Sequence, residues 1–138
     1  MTSADASLEQ SLTRLRNFRL ALLRLHKALL DSERGIYEQF HGRIRSNTEF
    51  FQLVIQDDGW FSWLRPMSQF IVQIDDVLHA KEPVTQQQVE DLLNQAEVLI
   101  QPAEFGTPME KGYFRAIQRD PDIALMHADM MQILVGDR

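Results

Sequence analysis

The chain carries 4 histidines and 20 acidic residues, and their spacing decides what chemistry they could do. Two pairs have an acid-x-x-His spacing: Glu38 with His41, and Asp76 with His79. Positions i and i+3 share a helix face, and di-iron carboxylate bundles use that spacing to bring a carboxylate and an imidazole to one metal. The geometry opposes that use here. Each histidine falls near the C-terminal end of its own helical segment, and antiparallel neighbours put those ends at opposite poles. At about 100° per residue, Glu38 and Asp76 also point away from the apolar stripes of their segments.

A second set of residues is placed differently. Arg19, His26 and Glu33 are spaced by seven and fall inside the apolar arc of Leu8, Leu15, Leu22 and Leu29. Ser68 and Asp75 lie on the apolar side of a later segment, near Leu64, Ile71 and Leu78. If the two segments pair antiparallel about a turn at residues 46–47, facing positions sum to about 94. Arg19 then meets Asp75, and His26 meets Ser68. His127 lies opposite the polar stripe of the last segment (Asp122, Asp129, Gln132, Gly136), among Ile123, Met131 and Leu134.

Ionisable groups turned inward are costly unless paired, and perturbed groups cluster at functional sites. One reading is a polar pocket lined by His26, Asp75 and His127, with Arg19, Glu33 and Ser68 beside them. Two histidines and a carboxylate suit a transition metal, and the same groups suit a small polar ligand. The other reading is a structural network that fixes helix register, with Arg19–Asp75 as an ion pair. The second is expected to hold, because no HExxH or other tight ligand spacing supports a metal. No metal and no cofactor are expected.

Trp60, Phe61 and Trp63 cluster beside Asp57-Asp58-Gly59, a run that favours turns. Aromatics at an irregular segment either line a ligand pocket or plug the core. The expectation is an interrupted helix, with Trp60 or Trp63 packed on the first helix near Glu33. Other chemistry is missing from the pattern: there is no GxxxxGK[ST], GxGxxG or GxSxG motif. With no cysteine in the chain, disulfides, thiolate metal sites, iron–sulfur clusters and cysteine nucleophiles are excluded together.

The elements that must position these residues are all helical. Residues 8–45 read as one long helix. Leu8, Leu15, Leu22, Leu29 and Ile36 recur every seven residues, with Leu12, Phe18, Leu25, Phe40 and Ile44 on the flanks. Gly35 and Gly42 weaken its last third. Ser46 with Glu49 has capping-box spacing and opens a short helix over 49–56. The helix resumes near Trp60 and runs to about Leu78, with Pro66 close to its start. Thr85 and Gln88 form a second box, flanked by Val84 and Val89 as a hydrophobic staple. That helix ends at Pro102. Thr107, Pro108 and Glu110 start the next, and Asp120-Pro121 starts the last, which runs to about Val135. The expected fold is all-α: an up-and-down bundle of four to five helices with a long first helix. Residues 8–138 form a single domain, preceded by a flexible segment, residues 1–7.

Composition agrees with such a domain: 138 residues, 44% hydrophobic and 25% charged. No apolar run approaches the roughly 20 residues needed to span a bilayer, and the first eight residues are polar, unlike a signal peptide. A cytoplasmic protein with no membrane contact is expected. Residues 1–46 carry eight Arg/Lys and five Asp/Glu, and residues 47–138 carry six and fifteen, so the halves differ in sign, at +3 and −9. The basic face of the first helix is interrupted by Asp31 and Glu38 and lacks interleaved aromatics, so no nucleic-acid partner is expected. The last helix is apolar almost all round, as buried or interface helices are. The first, about 55 Å long, exceeds what the other helices can cover. A homodimer through the first or last helix is therefore expected, with a further protein partner open to it. The function expected is a non-enzymatic interaction or regulatory module that self-associates. The alternative is a metal- or small-ligand-binding bundle, enzymes included, using the inward polar residues.

Overall fold

The computed structural model describes residues 3–136, and its regular elements are all helical among those residues. They are α1 (Ser3–His41), α2 (Asn47–Val54), a 3-10 turn (Ser62–Leu64), α3 (Arg65–Leu78), α4 (Gln86–Leu99), α5 (Pro108–Arg119) and α6 (Pro121–Val135). Among the described residues there are six α-helices rather than four or five, because no α-helix bridges Val54 and Arg65.

The heptad stripe of α1 builds the core. Leu15, Phe18, Leu22, Leu25 and Leu29 have no exposed surface, and α3, α4, α5 and α6 all pack against this helix. Phe18 meets Phe70 of α3 edge-on, with centroids 6.4 Å apart, a favoured aromatic geometry. Tyr113, Ile123 and Met130 close the far side. The helix begins at Ser3, inside the segment expected to be flexible; Met1 and Thr2 lie outside the described residues. Leu8 and Leu12 pack against the core, so the N-terminal turns of α1 are not the overhang that its length suggests.

α1 ends at His41, short of residue 45. Gly42 takes φ +86° and donates its N–H to the Glu38 carbonyl at 3.0 Å, a left-handed cap that favours glycine. The side chains of α1 then clip the turn. Glu38 accepts the Ile44 N–H at 2.8 Å, and Arg34 donates to the Ile44 carbonyl at 3.2 Å. Arg34 also lies over the Phe50 ring, 4.8 Å from its centroid.

The remaining starts follow the capping chemistry. Thr85/Gln88 and Thr107/Glu110 are complete capping boxes, and Pro108 and Pro121 occupy first helical positions. Asp120 ends α5 and caps α6 by accepting the Asp122 N–H. At α2 only half a box forms: Ser46 accepts the Glu49 N–H, but the Glu49 carboxylate reaches the Arg45 N–H instead. Among the described residues no helix is long and apolar enough to cross a membrane.

Candidate functional site

The antiparallel pairing of α1 with α3 sets the register of the polar residues. Arg19 Nε donates to Asp75 Oδ1 at 2.5 Å, so positions that sum to 94 do face each other, as 19 and 75 do. The pair sits at the rim, with side chains 29% and 35% exposed. Two turns further along α1, His26 shares a cavity of about 390 Å³ with Ser68. Ser68 donates its hydroxyl to the Arg65 carbonyl at 3.0 Å. Arg65 in turn holds the Asp57 carboxylate at 2.5 Å and the carbonyls of Ile55 and Gln56. His26 has no hydrogen-bond partner among the described residues, and burial pushes its pKa below the ordinary imidazole value.

Glu33 lies elsewhere. It is 5% exposed and accepts the Trp60 indole N–H at 2.8 Å. Arg119, the last residue of α5, reaches its other oxygen at 3.4 Å and also donates to Ser32. The Trp60 ring meets Tyr37 and His41 edge-on, at 5.8 and 5.6 Å between centroids. The break at Asp57–Gly59 thus delivers Trp60 to α1 beside Glu33, as its position in sequence implies. Trp63 goes to α5 instead. A Cβ on Gly112 would fall 2.4 Å from the Trp63 ring, so only a glycine admits the indole at that distance.

His127 has a third location. Its Nδ1 lies 2.8 Å from the Tyr113 hydroxyl, and the two rings meet edge-on at 5.3 Å. Burial pushes the Tyr113 phenol up and the His127 imidazole down. Both shifts favour the uncharged forms, so this is a neutral hydrogen bond in a partly dry site.

The inward polar residues therefore occupy four separate places: Arg19–Asp75, the His26–Ser68 cavity, Glu33–Trp60–Arg119 and His127–Tyr113. His26, Asp75 and His127 do not meet at one centre, and no group of three or more His, Asp or Glu able to hold a metal occurs among the described residues. The acid-x-x-His pairs are spent locally. Glu38 clips the turn after α1, His41 stacks on Tyr37 at 4.6 Å, and His79 Nδ1 lies 2.9 Å from the Asp75 carbonyl. Sequence reasoning missed Arg119 and Tyr113 as partners. Nothing in their local spacing points to Glu33 or His127, because each contact joins separate helices.

A second region stands out on the surface. Leu20 of α1 and Leu125 of α6 are exposed, Leu125 by 66%. A groove of about 300 Å³ runs between the two helices, with Leu20, Ala21 and Arg24 on one wall and Met126, Asp129 and Ile133 on the other. Neither Arg24 nor Asp129 forms an ion pair among the described residues. Comparison of the chain with protein-family models, with curated proteins and with solved structures gives no match, so its function must be read from these residues.

Proposed function

We propose that this protein is a non-enzymatic helical interaction module that self-associates through the α1–α6 face. The observation that carries the reading is a groove between α1 and α6 that has the exposed Leu20 in its wall and holds Arg24 on α1 and Asp129 on α6, with Leu125 of α6 also exposed. A twofold interface is self-complementary: a residue that meets a second residue across it is met by that residue in turn. Laying α1 of one copy along α6 of the other covers the leucines twice and brings each Arg24 to the other copy's Asp129. Opposite charges at such a rim set register and partner choice more than affinity. A stable interface of standard size buries about 800 Å² on each partner, which asks for most of the 15-residue α6 as well as the middle of α1.

The use of the inward polar groups supports the same reading. Glu33, Asp75 and His127 are each engaged by a partner that ties one helix to another, as in a register-fixing network rather than a reaction centre. The setting we propose is the cytoplasm. With a net charge of −6, a partner beyond the second copy is proposed to be protein rather than nucleic acid.

Light scattering tests the proposal. The wild-type chain is expected at twice its monomer mass in the micromolar range, and Leu20→Glu with Leu125→Glu at monomer mass with unchanged helical circular dichroism. Arg24→Glu alone is expected to weaken the dimer, and adding Asp129→Arg to restore it. A wild-type monomer throughout that range would sink the reading.

A further inference from the structure

The helix break that seats Trp60 also leaves a cavity beside α1. Its walls are Val54 and Ile55 at the end of α2, Phe61 and Leu64 around the 3-10 turn, and His26 and Ser68 from the paired helices. Its volume, about 390 Å³, lies in the range of small-molecule sites, which combine mostly apolar walls with a few placed polar groups. Here those groups are few and definable. Arg65 reaches the cavity, but its guanidinium is held by Asp57, Ile55 and Gln56, so it closes a wall and carries no free charge toward a ligand. The Ser68 hydroxyl proton is committed to the Arg65 carbonyl, which leaves its oxygen as an acceptor. His26 alone has no partner among the described residues. Burial favours its uncharged form, which offers one donor and one acceptor.

We infer that the cavity between α1 and the α2–α3 link binds a small uncharged molecule with an apolar body and one hydroxyl- or amide-type group, which hydrogen-bonds to the His26 imidazole. A carboxylate is disfavoured because the nearest cation is already neutralised by Asp57. An ammonium is disfavoured because the acceptors, His26 and the Ser68 oxygen, carry no charge. The inference stands apart from self-association, since the cavity faces α2 and α3 while the proposed dimer face lies on α1 and α6.

The test uses the full chain and three probes of one shape: benzyl alcohol, benzoate and benzylamine. Each is titrated while the ring signals of the four histidines are followed by carbon–proton NMR. Benzyl alcohol is expected to move the His26 signals saturably and to leave His41, His79 and His127 nearly in place. Benzoate and benzylamine are expected to bind at least about tenfold more weakly. His26→Phe, which keeps the ring volume and removes both nitrogens, is expected to weaken benzyl alcohol to a similar degree. If that variant fails to fold, Ser68→Leu fills the cavity from the α3 side, and with it the His26 signals are expected to stop responding. Non-saturating shifts, or equal shifts at all four histidines, overturn the site. Tighter binding of benzoate or benzylamine than of benzyl alcohol overturns the ligand class.

Discussion

Trp60 and Trp63 stand three residues apart on the same irregular link, yet they serve two different regions of the bundle. Trp60 lies against α1, 37% exposed, with its N–H on the Glu33 carboxylate and its ring among Tyr37, Phe40 and His41. Trp63 is 8% exposed and its ring is pressed on the backbone of α5 at Gly112. One seat is a polar handle at the rim of an aromatic cluster, and the other is an apolar plug in the core. The residue type is identical, so the difference lies in what the fold brings opposite each indole: a buried carboxylate in one case, a missing side chain in the other. Burial against a matched surface stabilises through area and packing. A rim contact stabilises chiefly through its hydrogen bond and is diluted by water.

The comparison can be broken most forcefully at the buried seat. Trp63→Ala is expected to cost about 3–5 kcal/mol, the range for truncating a large core aromatic, measured by urea unfolding. A loss no greater than that of Trp60→Ala would erase the distinction. Gly112→Ala tests the other side of the same contact. The new Cβ must push the Trp63 ring, and overpacking of this kind costs about 1–3 kcal/mol. Combining it with Trp63→Leu should make the two losses strongly non-additive, since the clash disappears with the ring.

At the rim seat, Trp60→Phe keeps a ring and removes the indole N–H. A hydrogen bond to a charged group is worth about 1.5–3 kcal/mol, and partial exposure puts the expected loss near the lower end. Adding Glu33→Gln should recover little if the N–H, rather than the carboxylate charge, is what stabilises. The Arg19–Asp75 pair, also at the rim, is expected to contribute only about 0–1 kcal/mol in a double-mutant cycle of Arg19→Met and Asp75→Leu. A coupling of several kcal/mol would mean that the pair is drier than its 29% and 35% exposure implies.

The smallest effect is a slope with pH. Burial lowers the pKa of both His26 and His127 below 6.5 in the folded chain. The unfolded chain therefore binds more protons over the interval between the folded and unfolded values, and stability rises with pH across it. The full contribution is present above the unfolded value near 6.5. It declines as pH falls toward the folded values and levels off beneath them. Urea midpoints taken across that interval should rise as pH rises, and His26→Phe with His127→Phe should flatten the trend. An unchanged slope in the double variant would show that the two rings are as hydrated as in the unfolded chain.

The heptad of leucines, the capping residues and the prolines determined α1, the starts of α4, α5 and α6, and the all-helical class, because helix periodicity and end-capping act within a few residues. The break at Asp57–Gly59 and the facing of Arg19 with Asp75 were also legible, since one follows from turn chemistry and the other from counting along two antiparallel helices. His26 and Ser68 could be placed opposite each other in the same way. The cavity between them could not, because it is space left where a helix is missing and its walls come from three elements. The end of α1 at His41 was shifted by a left-handed glycine and by Glu38 and Arg34 folding back on Ile44. Only the tertiary structure joined Glu33 to Arg119, His127 to Tyr113, and Trp63 to Gly112, and only it set Leu20, Arg24 and Asp129 around one groove. Each of those contacts or exposures depends on the azimuth and offset of separate helices. A shift of one residue, about 100° in azimuth, would have chosen different partners with the same local sequence signals.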